Sequence, residues 1–105
     1  MGMEQKVVLP AGQTPVWPKL ADHCVAQSFP LKVMMIDGEL AFPDETPGDA
    51  WREVRVGTAH GMVTLRRAED GVHLVTWGNA EGPVRAAWET LARLVAEAFE
   101  GTVVS

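Results

Sequence analysis

The chain has 105 residues, of which 47% are hydrophobic and 22% are charged, and its formal net charge at pH 7 is −5. This composition is typical of one globular domain and argues against a disordered chain. The negative charge argues against a protein that tracks nucleic-acid phosphates or an anionic membrane, since both need concentrated Lys and Arg. No apolar run reaches the roughly 20 residues of a membrane span. One cysteine, Cys24, excludes an internal disulfide and is compatible with the cytoplasm, the predicted compartment.

Residues 1–30 are predicted to form a proline-rich arm that packs on the domain or on a partner. Prolines at positions 10, 15 and 18 interrupt regular structure, and each also restricts the residue before it. Trp17 lies among them, and the segment is too apolar for a solvated tail. Residues 20–27 fit either two helical turns or an edge strand.

Residues 31–42 are predicted to form a β-hairpin. Asp37-Gly38 separates two apolar runs and is the strongest two-residue hairpin signal. Such a turn pairs Ile36 with Glu39 and Met35 with Leu40, and continued pairing places alternate residues on one face. The predicted shared face consists of Leu31, Val33, Met35, Leu40 and Phe42.

Three further strands are predicted, at residues 53–56, 62–67 and 72–77, where apolar residues alternate or β-branched residues cluster. The register of the last two strands stays open. A three-residue turn places Val75 and Trp77 on the same face as Val63 and Leu65, whereas a four-residue turn places Leu74 and Val72 there. The choice matters because a one-residue slip exchanges the two faces of a strand.

The most regular pattern predicts a helix over residues 83–100. Pro83 suits the first turn, and apolar residues recur every three or four positions on one stripe. Gly101 is the predicted C-terminal stop. The apolar stripe contains Val84, Ala87, Trp88, Leu91, Leu94, Val95, Ala98 and Phe99.

These elements predict an α+β fold, in which an antiparallel β-meander of four to five strands packs on one C-terminal α-helix. The predicted organisation is the arm at residues 1–30, a single domain at residues 31–101 and a tail at residues 102–105. One helix covers one face of a sheet, and the second face is predicted to carry several apolar side chains. We therefore expect a non-enzymatic interaction domain that forms a homodimer. The candidate interaction surface consists of Trp17, Met34, Ile36, Trp51, Arg55, Met62, Arg66 and His73.

Two alternatives stay open. Arg52, Arg55, Arg66 and Arg67, with Trp51 and Trp77 nearby, resemble a stacking platform for single-stranded nucleic acid. A small enzyme or ligand carrier built around His60, His73 or Cys24 is the second alternative. The sequence favours neither, because acidic residues dilute the arginines and the histidines lack metal-ligand spacing. It identifies no cofactor, metal, small-molecule ligand or catalytic residue.

Overall fold

The computed structural model describes residues 2–42, 45–77 and 82–104, without the side chains of residues 2, 3 and 77. Within these ranges the strands form one antiparallel sheet in the order β3-β2-β4-β5-β6-β1-β7. The strands are β1 (Gly2–Val8), β2 (Lys32–Ile36), β3 (Glu39–Leu40), β4 (Glu53–Thr58), β5 (Gly61–Ala68), β6 (Gly71–Trp77) and β7 (Thr102–Val104). The helices are α1 (Trp17–Ala26) and α2 (Gly82–Phe99).

The α+β class and the antiparallel sheet are confirmed, but the described residues contain seven strands and two helices. The predicted arm contributes β1 and α1, and the predicted tail contributes β7. Strand β1 lies between β6 and β7, so both ends of the described chain belong to the sheet. Trp17, Leu20 and Cys24 are buried on one side of α1, at the helical spacing i, i+3 and i+7.

Both helices pack on the same face of the sheet, which we call the covered face. The predicted α2 stripe is confirmed: Leu91, Leu94 and Phe99 have no exposed surface. They meet sheet residues such as Leu65 and Leu74, which are equally buried. Burying each of these large apolar side chains contributes about 1.5–3 kcal/mol. The opposite side of the sheet, the open face, has no helix packed on it from the described residues.

The predicted hairpin turn is confirmed. Asp37 and Gly38 have φ angles of 50° and 86°, and the pairs Ile36–Glu39 and Met35–Leu40 are present. The Asp37 carboxylate accepts hydrogen bonds from the backbone N–H groups of Glu53 and Arg52, which hold its pKa below the usual range. The turn therefore also fixes the start of β4.

The predicted alternation along β2 is wrong, because a β-bulge between Val33 and Met35 shifts its register against β4. Met35 pairs with Arg55 on the open face, whereas Ile36 pairs with the buried Val54. Leu40 is 82% exposed, so the predicted shared face of the hairpin does not form.

The β5–β6 hairpin takes the face assignment of the four-residue alternative. Leu65 pairs with Leu74, and Arg67 pairs with Val72, so Leu74 and Val72 lie on the covered face. Pairing continues to Ala68 and Gly71, which closes the turn to two residues. At Gly71 a Cβ atom would overlap the carbonyl oxygen of Val7 and lie 2.9 Å from its carbonyl carbon.

The segment between β1 and α1 is held by Trp51. Its Nε1–H donates a hydrogen bond of 2.7 Å to the carbonyl oxygen of Pro15. The Trp51 ring packs edge-on against Trp17 at 6.4 Å, and the Arg67 guanidinium lies 4.8 Å from its centroid. Arg67 also donates to the carbonyl oxygen of Asp49 at 2.7 Å. These contacts attach the proline-rich segment to its own domain.

Both helices end in Schellman-type turns whose left-handed residue is not glycine. Ser28 has a φ angle of 58°, and the next N–H bonds back to the Cys24 carbonyl at 2.8 Å. Glu100 has a φ angle of 57°, and the Gly101 N–H bonds back to the Ala96 carbonyl at 2.8 Å. The predicted stop at Gly101 therefore lies one residue too late.

Candidate binding surface

The open face carries a central row of side chains that runs across six neighbouring strands. Strand pairing places Met35 beside Arg55, Arg55 beside Thr64, and Thr64 beside Val75. The row mixes apolar, cationic, hydroxyl and anionic groups, unlike the covered face. From β3 to β1 it consists of Leu40, Met35, Arg55, Thr64, Val75 and Glu4.

A second row on the open face is charged, and ion pairs balance its groups. The Arg66 Nε lies 2.8 Å from a Glu53 carboxylate oxygen. His73 contacts the carboxylate of Glu4. Lys6, which pairs with His73 across the strands, has its ammonium 2.6 Å from the Asp70 carboxylate. A hydrogen bond from the Lys6 ammonium lowers the pKa of Asp70.

A groove of about 480 Å³ lies over the central row, in the middle of the open face. Thr64 and Val75 pair with each other at its centre. Arg55 and Glu4 lie at the two ends of this stretch of the central row, and Met62 is 44% exposed beside it. The volume falls within the range of sites that hold small organic molecules. Among the residues that the structure describes, the groove is lined by Glu4, Arg55, Met62, Thr64, Arg66, Val75 and Thr76.

The structure brings together only part of the predicted interaction surface. Arg55, Arg66, Met62 and His73 share the open face, and Met34 lies half-buried at the β2 bulge.

Three predicted surface residues are placed elsewhere. Trp17 and Trp51 are 3% and 2% exposed, because they pack against each other in the core. Ile36 is directed to the covered side by the register shift at the bulge.

The arginine–tryptophan platform is not assembled on one face. Trp51 is buried, and the side chain of Trp77 lies outside the described residues. Arg67 pairs with Val72 at a covered-face position and contacts Trp51 there. Of the two predicted stacking rings, Trp51 is therefore not available beside Arg55 and Arg66.

The candidate catalytic residues do not converge. Cys24 is fully buried among the helices, and burial raises the pKa of its thiol to about 11, which opposes formation of the nucleophilic thiolate. His73 lies on the opposite side of the sheet, and His60 is exposed in the β4–β5 turn. His23, next to Cys24, instead bonds the Glu97 carboxylate of α2 at 3.0 Å.

The described residues contain no group of three or more His, Cys, Asp or Glu side chains that could hold a metal ion. In the same part of the chain, neither helix has the length and apolarity to cross a bilayer. Comparison with protein-family models, curated proteins and solved structures found no match. The function must therefore be argued from the surface itself.

Sequence reasoning missed two exposed apolar side chains at the β3 end of the sheet. Leu40 and Phe42 are 82% and 73% exposed, although alternation in the hairpin predicted both on a shared apolar face. Strand β3 ends at Leu40, so no strand geometry carries Phe42 towards the core. The shortness of the Glu39–Phe42 run was the available signal, since edge strands are often short.

Proposed function

We propose that this chain is a non-enzymatic interaction domain that forms a homodimer through the β3 end of its sheet. The observation that carries the proposal is the exposure of Leu40 and Phe42, at 82% and 73%. They are the two most exposed of the large hydrophobic residues described. Two such side chains within three positions form the kind of apolar patch that marks an association surface.

The surroundings of Leu40 extend this patch. Its cross-strand neighbour Met35 lies on the open face and is half-buried. A twofold axis at this end would place the same patch of both copies in contact, which is the commonest arrangement in homodimers. Strand β3 has only two residues, so its backbone offers little for strand pairing between copies. Side-chain packing therefore supplies the contact.

The other predicted functions have less support. The platform for single-stranded nucleic acid loses Trp51, one of its two predicted stacking rings, to the core. An enzyme built around Cys24 needs a reactive thiolate, and burial opposes its formation. The cytoplasm stays the proposed compartment, since a free buried thiol is compatible with it.

Multi-angle light scattering after size exclusion tests the homodimer. At high concentration, we expect the molar mass measured for the wild-type protein to be twice the monomer mass of 11.4 kDa. The double variant Leu40→Ser/Phe42→Ser should elute as the monomer, because its apolar contact is lost. Val25→Ser is the matched control, because Val25 is 65% exposed on α1, away from the patch. A monomeric wild type, or equal dissociation of the Val25→Ser protein, would refute the proposal.

A further inference from the structure

Of the two arginines that line the groove on the open face, one lacks a counter-ion. Among its lining residues, Arg66 is paired with Glu53, and Glu4 is paired with His73. The Arg55 guanidinium forms no hydrogen bond, ion pair or ring contact with any residue that the structure describes. The groove therefore has one guanidinium available, although the chain as a whole carries a net charge of −5.

Thr64 is the cross-strand neighbour of Arg55, and its hydroxyl makes no hydrogen bond to the described part of the chain. Both residues are half-buried and both line the groove. A guanidinium offers two parallel N–H donors, a geometry that matches a carboxylate, and a neighbouring hydroxyl can add a third donor. This end of the groove is thus suited to a carboxylate.

The rest of the groove is suited to an apolar group. Val75 continues the central row beyond Thr64, and Met62 is 44% exposed on the same face. Methionine adapts to ligands of different shape. At the far end, the Glu4 carboxylate would repel a second negative charge.

We propose that the groove binds a small organic monocarboxylate, with its carboxylate on Arg55 and Thr64 and its apolar body over Val75 and Met62. One unpaired guanidinium matches one negative charge. The second charge of a dianion would find no cation and would lie near the Glu4 carboxylate, so a dianion should bind more weakly. The site lies in the middle of the open face, and Met35 separates Arg55 from Leu40 in the central row. It goes beyond the proposed homodimer and does not depend on it.

Nuclear magnetic resonance titration of the full ¹⁵N-labelled chain tests the proposal, with octanoate, octan-1-ol and the dicarboxylate suberate as probes. We expect saturable shifts of the Arg55, Thr64 and Val75 amide signals with octanoate. Octan-1-ol and suberate should bind at least about tenfold more weakly, because one lacks the charge and the other brings a second charge to Glu4.

Variants assign the effect to the two polar groups. Arg55→Met should weaken octanoate binding about tenfold to a hundredfold, the usual loss for a hydrogen-bonded charge. Arg52→Met is the matched control, since Arg52 is exposed three positions away and does not line the groove. Thr64→Val, which keeps the shape of the side chain, should weaken binding less than Arg55→Met.

Several results would overturn the proposal. They are the absence of saturable octanoate binding, equal affinity for octan-1-ol or suberate, and equal losses in the Arg52→Met and Arg55→Met proteins. Repeating the octanoate titration on the Leu40→Ser/Phe42→Ser protein separates the two proposals. Unchanged octanoate affinity in this variant supports the groove whatever the oligomeric state. Loss of binding would show that the site needs the β3 end and would refute its independence from the homodimer.

Discussion

The two faces of the sheet are made by alternate residues of the same strands, yet these residues differ in burial and polarity. Along β5, Val63 and Leu65 are 1% and 0% exposed, whereas their neighbours Thr64 and Arg66 face the open side. The covered side is almost entirely apolar, and two helices fill the space against it. The open side combines methionines with ion pairs and a groove.

This difference separates folding from binding. On the covered face each position is fixed by close packing, so its residues determine where helices and strands lie. On the open face the polar contacts are exposed and contribute little to stability. Its residues are therefore less constrained by the fold and can serve recognition. Substitutions in adjacent positions should show this separation directly.

The largest effect is expected for Leu65→Ala. Leu65 has no exposed surface and faces Leu74, so the change leaves a cavity in the core and should cost about 2–5 kcal/mol. The matched variant Thr64→Ala, one position away on the open face, should lower the free energy of unfolding by no more than about 1 kcal/mol. Urea denaturation of both proteins measures the difference. Similar losses in the two variants would show that the faces are not energetically distinct.

The covered face was largely predictable because its signals are local. The α2 stripe follows from helical spacing within one segment, and the hairpin follows from Asp37-Gly38. The register of β5 and β6 was not predictable, since the local sequence is compatible with a three-residue turn and with a four-residue turn. The structure resolves it because Leu74 and Val72 can then face α2, a contact between segments that no local pattern reveals.

The regular structure within the arm was only partly predictable, for the same reason. Prolines and glycine indicate an irregular segment, and residues 9–16 are indeed outside the helices and strands. The flanking residues gain their structure from distant partners: β1 from β6 and β7, and Trp17 from Trp51. In α1 the spacing of Trp17, Leu20 and Cys24 was a readable signal.

The next effect in size concerns the place where β1 enters the sheet beside β6. Gly71→Ala should cost about 1–3 kcal/mol, because the new Cβ would overlap the Val7 carbonyl, a backbone group that cannot rotate away. Gly48→Ala is the control: nothing lies within 4 Å of its Cβ position, and its φ is not left-handed. That variant should be neutral or up to about 1 kcal/mol more stable. Equal stability of the two variants would mean that β1 and β6 separate at little cost.

The candidate site was predictable in composition but not in arrangement. Alternation placed Arg55, Met62 and Arg66 on the second face correctly. It also placed Ile36 there, because a bulge adds one residue without a sequence signature as clear as that of a turn. The feature that singles out Arg55 is the pairing of its neighbours, Arg66 with Glu53 and Glu4 with His73, and this depends on side chains from four strands.

The smallest effect is expected at the C-terminal end of α2, the main helix packed on the covered face, just before β7. Glu100 adopts a left-handed φ of 57°, a conformation that costs a non-glycine residue about 1–2 kcal/mol. Glu100→Gly should therefore stabilise the protein by about 0.5–1 kcal/mol, after the greater freedom of glycine in the unfolded chain is subtracted. Glu89→Gly, on the exposed side of the same helix, should instead cost about 1 kcal/mol. Thermal unfolding of the two variants compares the same substitution in two backbone conformations. A loss in both would show that Glu100 contributes a contact that outweighs its backbone strain.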